Sequence, residues 1–195
     1  MRFNTITTIL ISLFFTTISK SQPSFYQRLA DSAATLTKQK VVYDLSYYSI
    51  DYPKGDVPPD KGVCTDVIIR TYRKLQIDLQ QLVHEDMVRN FSAYPNFWGL
   101  RSTDKNIDHR RVPNLITFFK RKGAAVPITN NPVDYQPGDI VCWLLPRGMK
   151  HIGLLVKQRS LDHKRYLIVH NIGNGQVIED CLFSYQIIGH FRYMR

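Results

Sequence analysis

Three side chains in this chain could together carry out nucleophilic chemistry: Cys64, His151 and His170. Cys64 stands where a loop rich in Pro, Asp and Gly gives way to a run with apolar residues at helical spacing. The sequence therefore predicts a helix that begins at this cysteine, where unpaired N–H groups and the helix dipole favour the thiolate. We expect Cys64 to be a nucleophile with a depressed pKa, although a lone cysteine in this position is more often a small buried hydrophobe.

The two histidines lie in short apolar runs, residues 151–156 and 166–171, that have the pattern of strands. If these strands form a hairpin centred after Ser160, His151 falls directly opposite His170, with the two side chains about 5 Å apart on one face. A helix that carries Cys64 at its start and packs on that face would complete a set of nucleophile, base and orienting group.

The elements that must position these residues change in type along the chain. Helical spacing covers residues 23–40, the run after Cys64, residues 79–91, and a short segment from Pro113 to near Gly123. Strand-like runs follow at residues 139–145, 151–156, 166–171, 176–183 and 187–194. Helices followed by an antiparallel meander predict an α+β fold, with N-terminal helices packed on a C-terminal antiparallel sheet.

The N-terminus has the pattern of an export signal. Residues 1–21 begin with Arg2, continue through an uncharged apolar run and end in Ser19-Lys20-Ser21, which is typical of a cleavable secretory signal peptide. Residues 22–195 are then a single domain that is exported to the periplasm or secreted. No later apolar run is long enough for a spanning helix, so we expect no stable membrane insertion.

The net charge indicates which partners the protein could bind, and the cysteine count indicates which thiol is free. Cleavage of the signal would remove two cations and no acid from 26 Lys and Arg against 16 Asp and Glu, leaving a formal net charge of +8. Outside the cytoplasm this charge suits anionic cell-wall polymers or membrane surfaces, or simply solubility, and no nucleic-acid module is visible. Of three cysteines, Cys142 and Cys181 lie in strand-like runs where a disulfide and simple burial are both open, which leaves Cys64 as the best candidate for a free thiol.

A long polar loop, residues 92–112, separates the third and fourth predicted helices. Long ordered loops in compact domains are usually functional, so we expect Asp108, His109, Arg110 and Arg111 to border the cleft. One of the arginines would hold a substrate carboxylate with two hydrogen bonds. The alternative, that these groups pair with nearby aspartates, stays open.

The motifs around the three candidate residues resemble a known superfamily. A cysteine at a helix start, the Pro137-Gly138-Asp139 strand, His-Ile-Gly-Leu-Leu-Val from His151 and a second histidine on the next strand resemble the NlpC-type and CHAP papain-like cysteine amidases, over residues 60–183. A closer resemblance is to an uncharacterised secreted bacterial family placed in that superfamily. It rests on Gly62-Val63-Cys64-Thr65-Asp66, Asn106-Ile107-Asp108-His109-Arg110-Arg111-Val112, Pro137-Gly138-Asp139-Ile140-Val141, His170-Asn171-Ile172-Gly173 and Gly189-His190-Phe191-Arg192-Tyr193.

The resemblance implies a papain-like fold in which Cys64 is the nucleophile, His151 the general base and acid, and His170 the group that orients it, with no metal or organic cofactor. The expected activity is cleavage of an amide bond in a peptide, such as the stem peptide of cell-wall peptidoglycan. The backbone N–H of Cys64 would stabilise the oxyanion, joined by Tyr52 or another residue upstream. Acyl transfer or deamidation on the same triad, and a non-catalytic wall-binding domain, remain as alternatives.

Overall fold

Helices occupy the first part of the chain and strands the second. The computed structural model describes residues 22–195, so the predicted signal peptide lies outside the described residues. The helices are α1 (Phe25–Leu36), α2 (Cys64–Lys74), α3 (Leu79–Arg89) and α4 (Val112–Arg121). The strands are β1 (Val42–Tyr43), β2 (Lys61–Gly62), β3 (Ile140–Leu144), β4 (Lys150–Arg159), β5 (Tyr166–His170), β6 (Val177–Glu179) and β7 (Gln186–Phe191).

The helix starts follow local signals in the sequence. Ser24 and Gln27 form a reciprocal capping box at α1, and Asp78 accepts a hydrogen bond from the Gln80 N–H at α3. Pro113 lies in the first turn of α4, where its missing N–H costs no hydrogen bond. The predicted helices are therefore confirmed, although α1 ends four residues earlier than expected.

Five antiparallel strands form the main sheet in the order β6-β5-β4-β3-β7, with β4 at its centre. One face carries Ile152, Leu154 and Val156 and packs against α1, α2 and α4. The other face carries Trp143, Leu155 and other apolar residues, and is covered by side chains from the connecting segments such as Tyr135 and Leu182. This confirms helices packed on an antiparallel sheet, whereas the short parallel pair β1–β2 was not expected.

The hairpin register differs from the predicted one by two residues. Leu154 is paired with Val169, and continuing this register places Gly153, not His151, opposite His170. A Cβ on Gly153 would lie 3.2 Å from the His170 Cβ, so the absence of a side chain there makes room for the histidine. Because strand side chains alternate with a period of two, this even shift leaves both histidines on the same face.

That face is not the one that the helices cover. His151 is opposite Trp143 and stacks on its ring, with the ring centroids 5.7 Å apart. Trp143 belongs to the apolar cluster on the far side of the sheet from α2. The prediction that the helix of Cys64 packs on the histidine face is therefore wrong.

All three cysteines are free thiols, which excludes the Cys142–Cys181 disulfide in this structure. Cys142 is fully buried on the helix side of the sheet, whereas the sulfur of Cys181 lies 3.7 Å from His170 Nε2. Within residues 22–195, the helices are too short or too polar to cross a bilayer.

Candidate active site

Cys64 is the first residue of α2, and the turn that precedes it is held by hydrogen bonds from three directions. Asp66 Oδ2 accepts from the Val63 N–H at 2.7 Å. The buried amide of Asn171, the residue after His170, donates to the Gly62 carbonyl at 3.2 Å. Arg70 donates to the Lys61 carbonyl at 2.9 Å. The start of α2 is thereby fixed to the end of β5.

The Asp66 carboxylate is held in turn by Arg110. Arg110 Nε and Nη2 donate to Asp66 Oδ1 and Oδ2, both at 3.0 Å, and both side chains are almost fully buried. Thr65 Oγ1 donates to the Arg110 carbonyl at 3.1 Å. Arg110 is thus committed to the helix of Cys64 and is not free to bind a substrate carboxylate, which corrects the sequence expectation.

Cys64 is only 6% exposed as a residue, and burial of its thiol is the largest influence on the pKa. Burial raises the pKa of the Cys64 thiol to about 12, although backbone N–H groups of Ile152, Thr65 and Cys64 itself act on the sulfur and lower it. The Asp66 carboxylate raises it further. The expected depressed pKa is therefore wrong in direction, because the prediction counted the helix N-terminus and not the loss of water around the thiol.

The same N–H contact locates Cys64 relative to the histidines. Ile152 follows His151 in the chain, so the sulfur lies against the beginning of β4. Among the described residues, no hydrogen bond joins Cys64 to His151. The Cys64 sulfur therefore lies beside the start of the strand that carries His151, whereas the linked His151–His170 pair lies on the face of the sheet that points away from α2.

His151 and His170 form a hydrogen-bonded relay that ends at a carboxylate. His151 Nε2 lies 2.8 Å from His170 Nδ1, and His170 Nε2 lies 3.0 Å from Glu179 Oε2. His151 Nδ1 has no hydrogen-bond partner among the described residues. Glu179 was not anticipated, because only the pairing of β5 with β6 brings it opposite Ile168 and within reach of His170.

Both imidazoles favour the neutral form at neutral pH. Burial, together with the nearby His170, lowers the pKa of His151 to about 3. Burial also lowers the pKa of His170, against the opposing effect of Glu179. The resting site therefore holds a thiol and neutral imidazoles, not a thiolate–imidazolium pair.

Tyr43 is the neighbour of the thiol that sequence reasoning did not select. The parallel pairing of β1 with β2 places it beside Gly62, two residues before Cys64. Burial raises the pKa of Tyr43, and Cys64 and Asp66 raise it further through their charges. Tyr52, which was the expected tyrosine, instead lies against His84, with ring centroids 5.1 Å apart.

The polar loop separates into buried and exposed groups. Asp108 and His109 are buried inside the domain, where Asp108 contacts His84 Nδ1 at 3.0 Å and accepts from the Asp104 N–H. Burial lowers the pKa of His109 to about 3. Asp108 and His109 therefore do not line a cleft as expected. Arg111 is the exception, since its guanidinium is partly exposed and stacks 4.0 Å over the Trp98 ring.

Comparison with known proteins identifies the family of this chain. Residues 30–193 match the family described as a domain of unknown function, DUF1287. The chain belongs to the DUF1287 family. It is also 46% identical over 177 residues to a protein of Escherichia coli (strain K12) named "Uncharacterized protein YijF", covering 91% of this chain and 86% of that protein.

Two solved structures are similar to this DUF1287 chain at a lower level. They are NlpC1 and NlpC2 from Trichomonas vaginalis, each 14% identical, with TM-scores of 0.45 and 0.43 and 88% of this chain covered. The chain spans about half the length of those two proteins, 46% and 50%. TM-scores below 0.5 do not by themselves identify a shared fold.

In this DUF1287 chain, one group within residues 22–195 has the ligand types and spacing that could hold a metal ion. His170, Glu179 and Cys181 each offer one ligand atom, and these atoms lie within 4.8 Å of one another. The same His170 and Glu179 atoms already satisfy one another as the end of the histidine relay. The geometry is thus accounted for without an ion.

Proposed function

We propose that this protein is an exported, papain-like cysteine hydrolase that cleaves an amide bond in a peptide, with Cys64 as nucleophile and His151 as general base and acid. One observation carries the proposal: the Cys64 thiol, at the start of α2, lies against the strand start that carries the linked His151–His170 pair. A nucleophile, a base and an orienting group in that order are the parts that covalent acyl chemistry requires.

The relay assigns a tautomer to each imidazole. Glu179 accepts from the N–H at His170 Nε2, which leaves His170 Nδ1 as an acceptor. His151 then donates from Nε2, and its Nδ1 carries a free lone pair. That nitrogen is the one that has no other partner among the described residues, so it is available to take the proton of the Cys64 thiol.

Because both groups rest in their neutral forms, the proton moves as the bond forms. Cys64 Sγ attacks the substrate carbonyl carbon while its proton passes to His151 Nδ1. The C–N bond then breaks, and the amine leaves with that proton, which gives a thioester on Cys64. Water, deprotonated by His151, attacks the thioester, and the carboxylic acid leaves as the proton returns to the thiol.

The oxyanion that forms in both steps needs preorganised donors. The backbone N–H of Cys64 stands at a helix start, where such groups have no partner within the helix. Tyr43 takes the role that the sequence assigned to Tyr52 or another upstream residue, because Tyr43 lies beside the thiol and Tyr52 does not. We assign the Tyr43 hydroxyl as the second donor.

The proposed substrate is a peptide of the cell wall, such as the peptidoglycan stem peptide. A groove of about 410 Å³ runs between Tyr43 on one side and the glycine-containing loop, residues 173–175, on the other. That loop directly follows the end of β5 at His170. Gln176, which is 7% exposed, also lines the groove, and its Oε1 has no hydrogen-bond partner within the described part of the chain. This oxygen could accept a hydrogen bond from a substrate backbone N–H.

The direct test is mass spectrometry of purified peptidoglycan fragments after incubation with residues 22–195. The wild-type protein should release products cleaved at an amide bond, whereas Cys64→Ala should release none. Cys142→Ala makes the same chemical change at another buried cysteine and should keep the activity. Products that form equally well with Cys64→Ala would refute the assignment.

Two alternative functions predict different results in this experiment. An acyltransferase would use the same thioester, so an added amine would appear in the product instead of water. A non-catalytic wall-binding domain is favoured by the raised pKa of Cys64 and the missing Cys64–His151 hydrogen bond. In that case the wild-type protein would bind peptidoglycan without product, and alkylation of Cys64 would leave the binding unchanged.

A further inference from the structure

A second, smaller pocket lies apart from the groove at Tyr43, under the loop that contains Trp98. Its volume is about 220 Å³, and apolar and aromatic side chains such as Phe91, Tyr94 and Trp98 form much of its wall. Small-molecule sites usually enclose about 300 Å³ or more. The pocket is therefore suited to one residue or a comparably small group.

Two side chains that line this pocket each offer a polar group with no hydrogen-bond partner among residues 22–195. Asn114 is 1% exposed, its Nδ2 donates to the Asp108 carbonyl at 3.0 Å, and its Oδ1 accepts from no described residue. Burying an acceptor without a donor is costly, so such atoms usually mark a place where another molecule supplies the donor. Because Asn114 is one of the residues that line the pocket, a ligand bound there is the nearest external source of an N–H or O–H donor for this buried oxygen.

The second group is the Arg111 guanidinium. It stacks over Trp98 at 4.0 Å but forms no hydrogen bond or ion pair with any residue of the described range 22–195. Asp104 and Asp108 act on its charge from nearby, yet their carboxylates bind Tyr47 and His84 instead. Burial lowers the pKa of Arg111, because partial removal from water disfavours the cation. An anion in the pocket would restore the lost solvation.

Arg111 is the residue immediately before α4, and Asn114 lies in the first turn of that helix. A helix start favours negative charge, which adds to the attraction of the guanidinium for a carboxylate. An apolar wall, a cation and a buried acceptor together match a carboxylate, an adjacent N–H and an apolar side chain. These three groups occur together at the C-terminal residue of a peptide.

The pocket also has a structural connection to the proposed active site. Trp98 packs edge-on against Phe97, with ring centroids 5.8 Å apart. Lys150, which precedes His151, places its Nζ 4.9 Å over the Phe97 ring. The loop that roofs the pocket thus reaches the start of β4.

We propose that the Arg111–Asn114 pocket binds the C-terminal residue of a peptide with a free carboxylate and an apolar side chain. Its use as a subsite for cleavage at Cys64 rests on the proposed function, whereas the binding itself does not. The protein would therefore prefer peptides with a free apolar C-terminus over the same peptides with an amidated end.

Calorimetric titration with three small probes tests the binding. N-acetyl-leucine carries all three groups, N-acetyl-leucinamide lacks the carboxylate, and isocaproate lacks the N–H. Because hydrogen bonds to charged groups are among the stronger ones, N-acetyl-leucine should bind at least about tenfold more tightly than the amide. Isocaproate should bind more weakly than N-acetyl-leucine, because Asn114 Oδ1 would stay unpaired. Equal affinity for the acid and the amide, or no binding of any probe, would overturn the proposal.

Matched variants locate the site. Arg111→Gln should remove the preference for the acid over the amide, and Arg111→Lys should retain part of it. Arg101→Gln changes an exposed arginine of the same loop and should behave as the wild type does. Thermal melting of each variant checks that it is folded. An unchanged preference in folded Arg111→Gln would assign the binding to another part of the surface and overturn the proposal.

Kinetics separate this proposal from the proposed function. For a cleaved peptide with a free C-terminus, Arg111→Gln should raise KM about tenfold with little change in kcat, while Cys64→Ala should bind the probes normally and cleave nothing. Probe binding by a wild-type protein that cleaves no peptide would defeat the proposed function alone. Cleavage with no preference between acid and amide would defeat the pocket alone.

Discussion

Two histidine sites occupy the same face of the sheet, and they differ in whether a ring nitrogen is left free. His151 stacks on Trp143 and contacts His170, while its Nδ1 has no partner among the described residues. His190 stacks on Tyr135, with centroids 4.2 Å apart, and contacts Asp139 through Nε2 and the Pro127 carbonyl through Nδ1. His151 thus keeps one ring nitrogen without a partner among the described residues, whereas both ring nitrogens of His190 are engaged by acceptor oxygens.

The carboxylates of the two sites, Asp139 and Glu179, differ in how completely they are buried and bound. Asp139 is fully buried and is bound by both His190 and Arg192, at 2.9 Å and 2.6 Å. Burial raises the pKa of Asp139, but the hydrogen bonds from Arg192 and His190 outweigh it and hold the pKa below its usual value. Glu179, at the end of the other relay, has a side chain that is 43% exposed. A closed network of this kind holds the fold together, whereas the other relay ends at a carboxylate that is partly open to solvent.

The largest effect on activity should come from substitutions of Cys64 and His151. Cys64→Ala should abolish cleavage, and His151→Ala should reduce kcat by about a hundredfold to ten-thousandfold, because it removes the general base. Steady-state rates measured on peptidoglycan fragments check both. If His151→Ala kept most of the activity, the contrast between the two sites would have no catalytic meaning.

The pH dependence of Cys64 alkylation should show whether the resting site holds a neutral thiol and imidazole or a thiolate and imidazolium. Because the pKa of Cys64 is about 12, its alkylation rate should rise about tenfold with each pH unit through the neutral range, with no plateau. Mass spectrometry of iodoacetamide-treated protein gives the rate at each cysteine. A plateau below neutral pH would show a resting thiolate and would restore the expectation drawn from the helix start.

At the site formed by His190, Asp139 and Arg192, a substitution should lower the stability of the protein. His190→Ala leaves the buried Asp139 with one fewer partner, so the free energy of unfolding should fall by about 3 kcal/mol. Urea denaturation measures this change, and kcat of the folded protein should stay near the wild-type value. A folded His190→Ala variant with a large loss in kcat would place His190 in the mechanism.

His170 should give an intermediate result, since it positions His151 and does not touch the substrate. His170→Asn keeps a hydrogen-bonding group and should retain measurable activity, while His170→Ala should lose about a hundredfold, the lower end for loss of a working base. The pH dependence of kcat should shift in both variants, because the pKa of His151 falls partly through His170. If His170→Asn were as inactive as Cys64→Ala while His151→Ala remained active, the two roles would be reversed.

The smallest effect should follow a change at the far end of the relay. Glu179→Gln keeps an acceptor for the N–H of His170 but removes the charge, and the side chain is partly open to solvent that screens it. We expect a loss of severalfold in kcat. Asp180→Asn alters the neighbouring exposed carboxylate and serves as the control for a general charge effect.

Local patterns in the sequence were sufficient for the helix starts and for the common face of the two histidines. A capping box, a proline in the first turn and an acid at the third helical position act within one turn, so neighbouring residues decide them. The shared face survived an error of two residues in the register, because side chains alternate with a period of two.

Tertiary structure alone decided what surrounds the thiol. The Arg110–Asp66 pair, the β1–β2 pairing that places Tyr43, and the approach of Glu179 to His170 all join segments that are distant in sequence or paired only by the sheet. The direction of the Cys64 pKa depended on how completely water is excluded from the sulfur. A helix start is a property of a few residues, whereas desolvation is the sum of everything packed around the group, and only the folded chain specifies that sum.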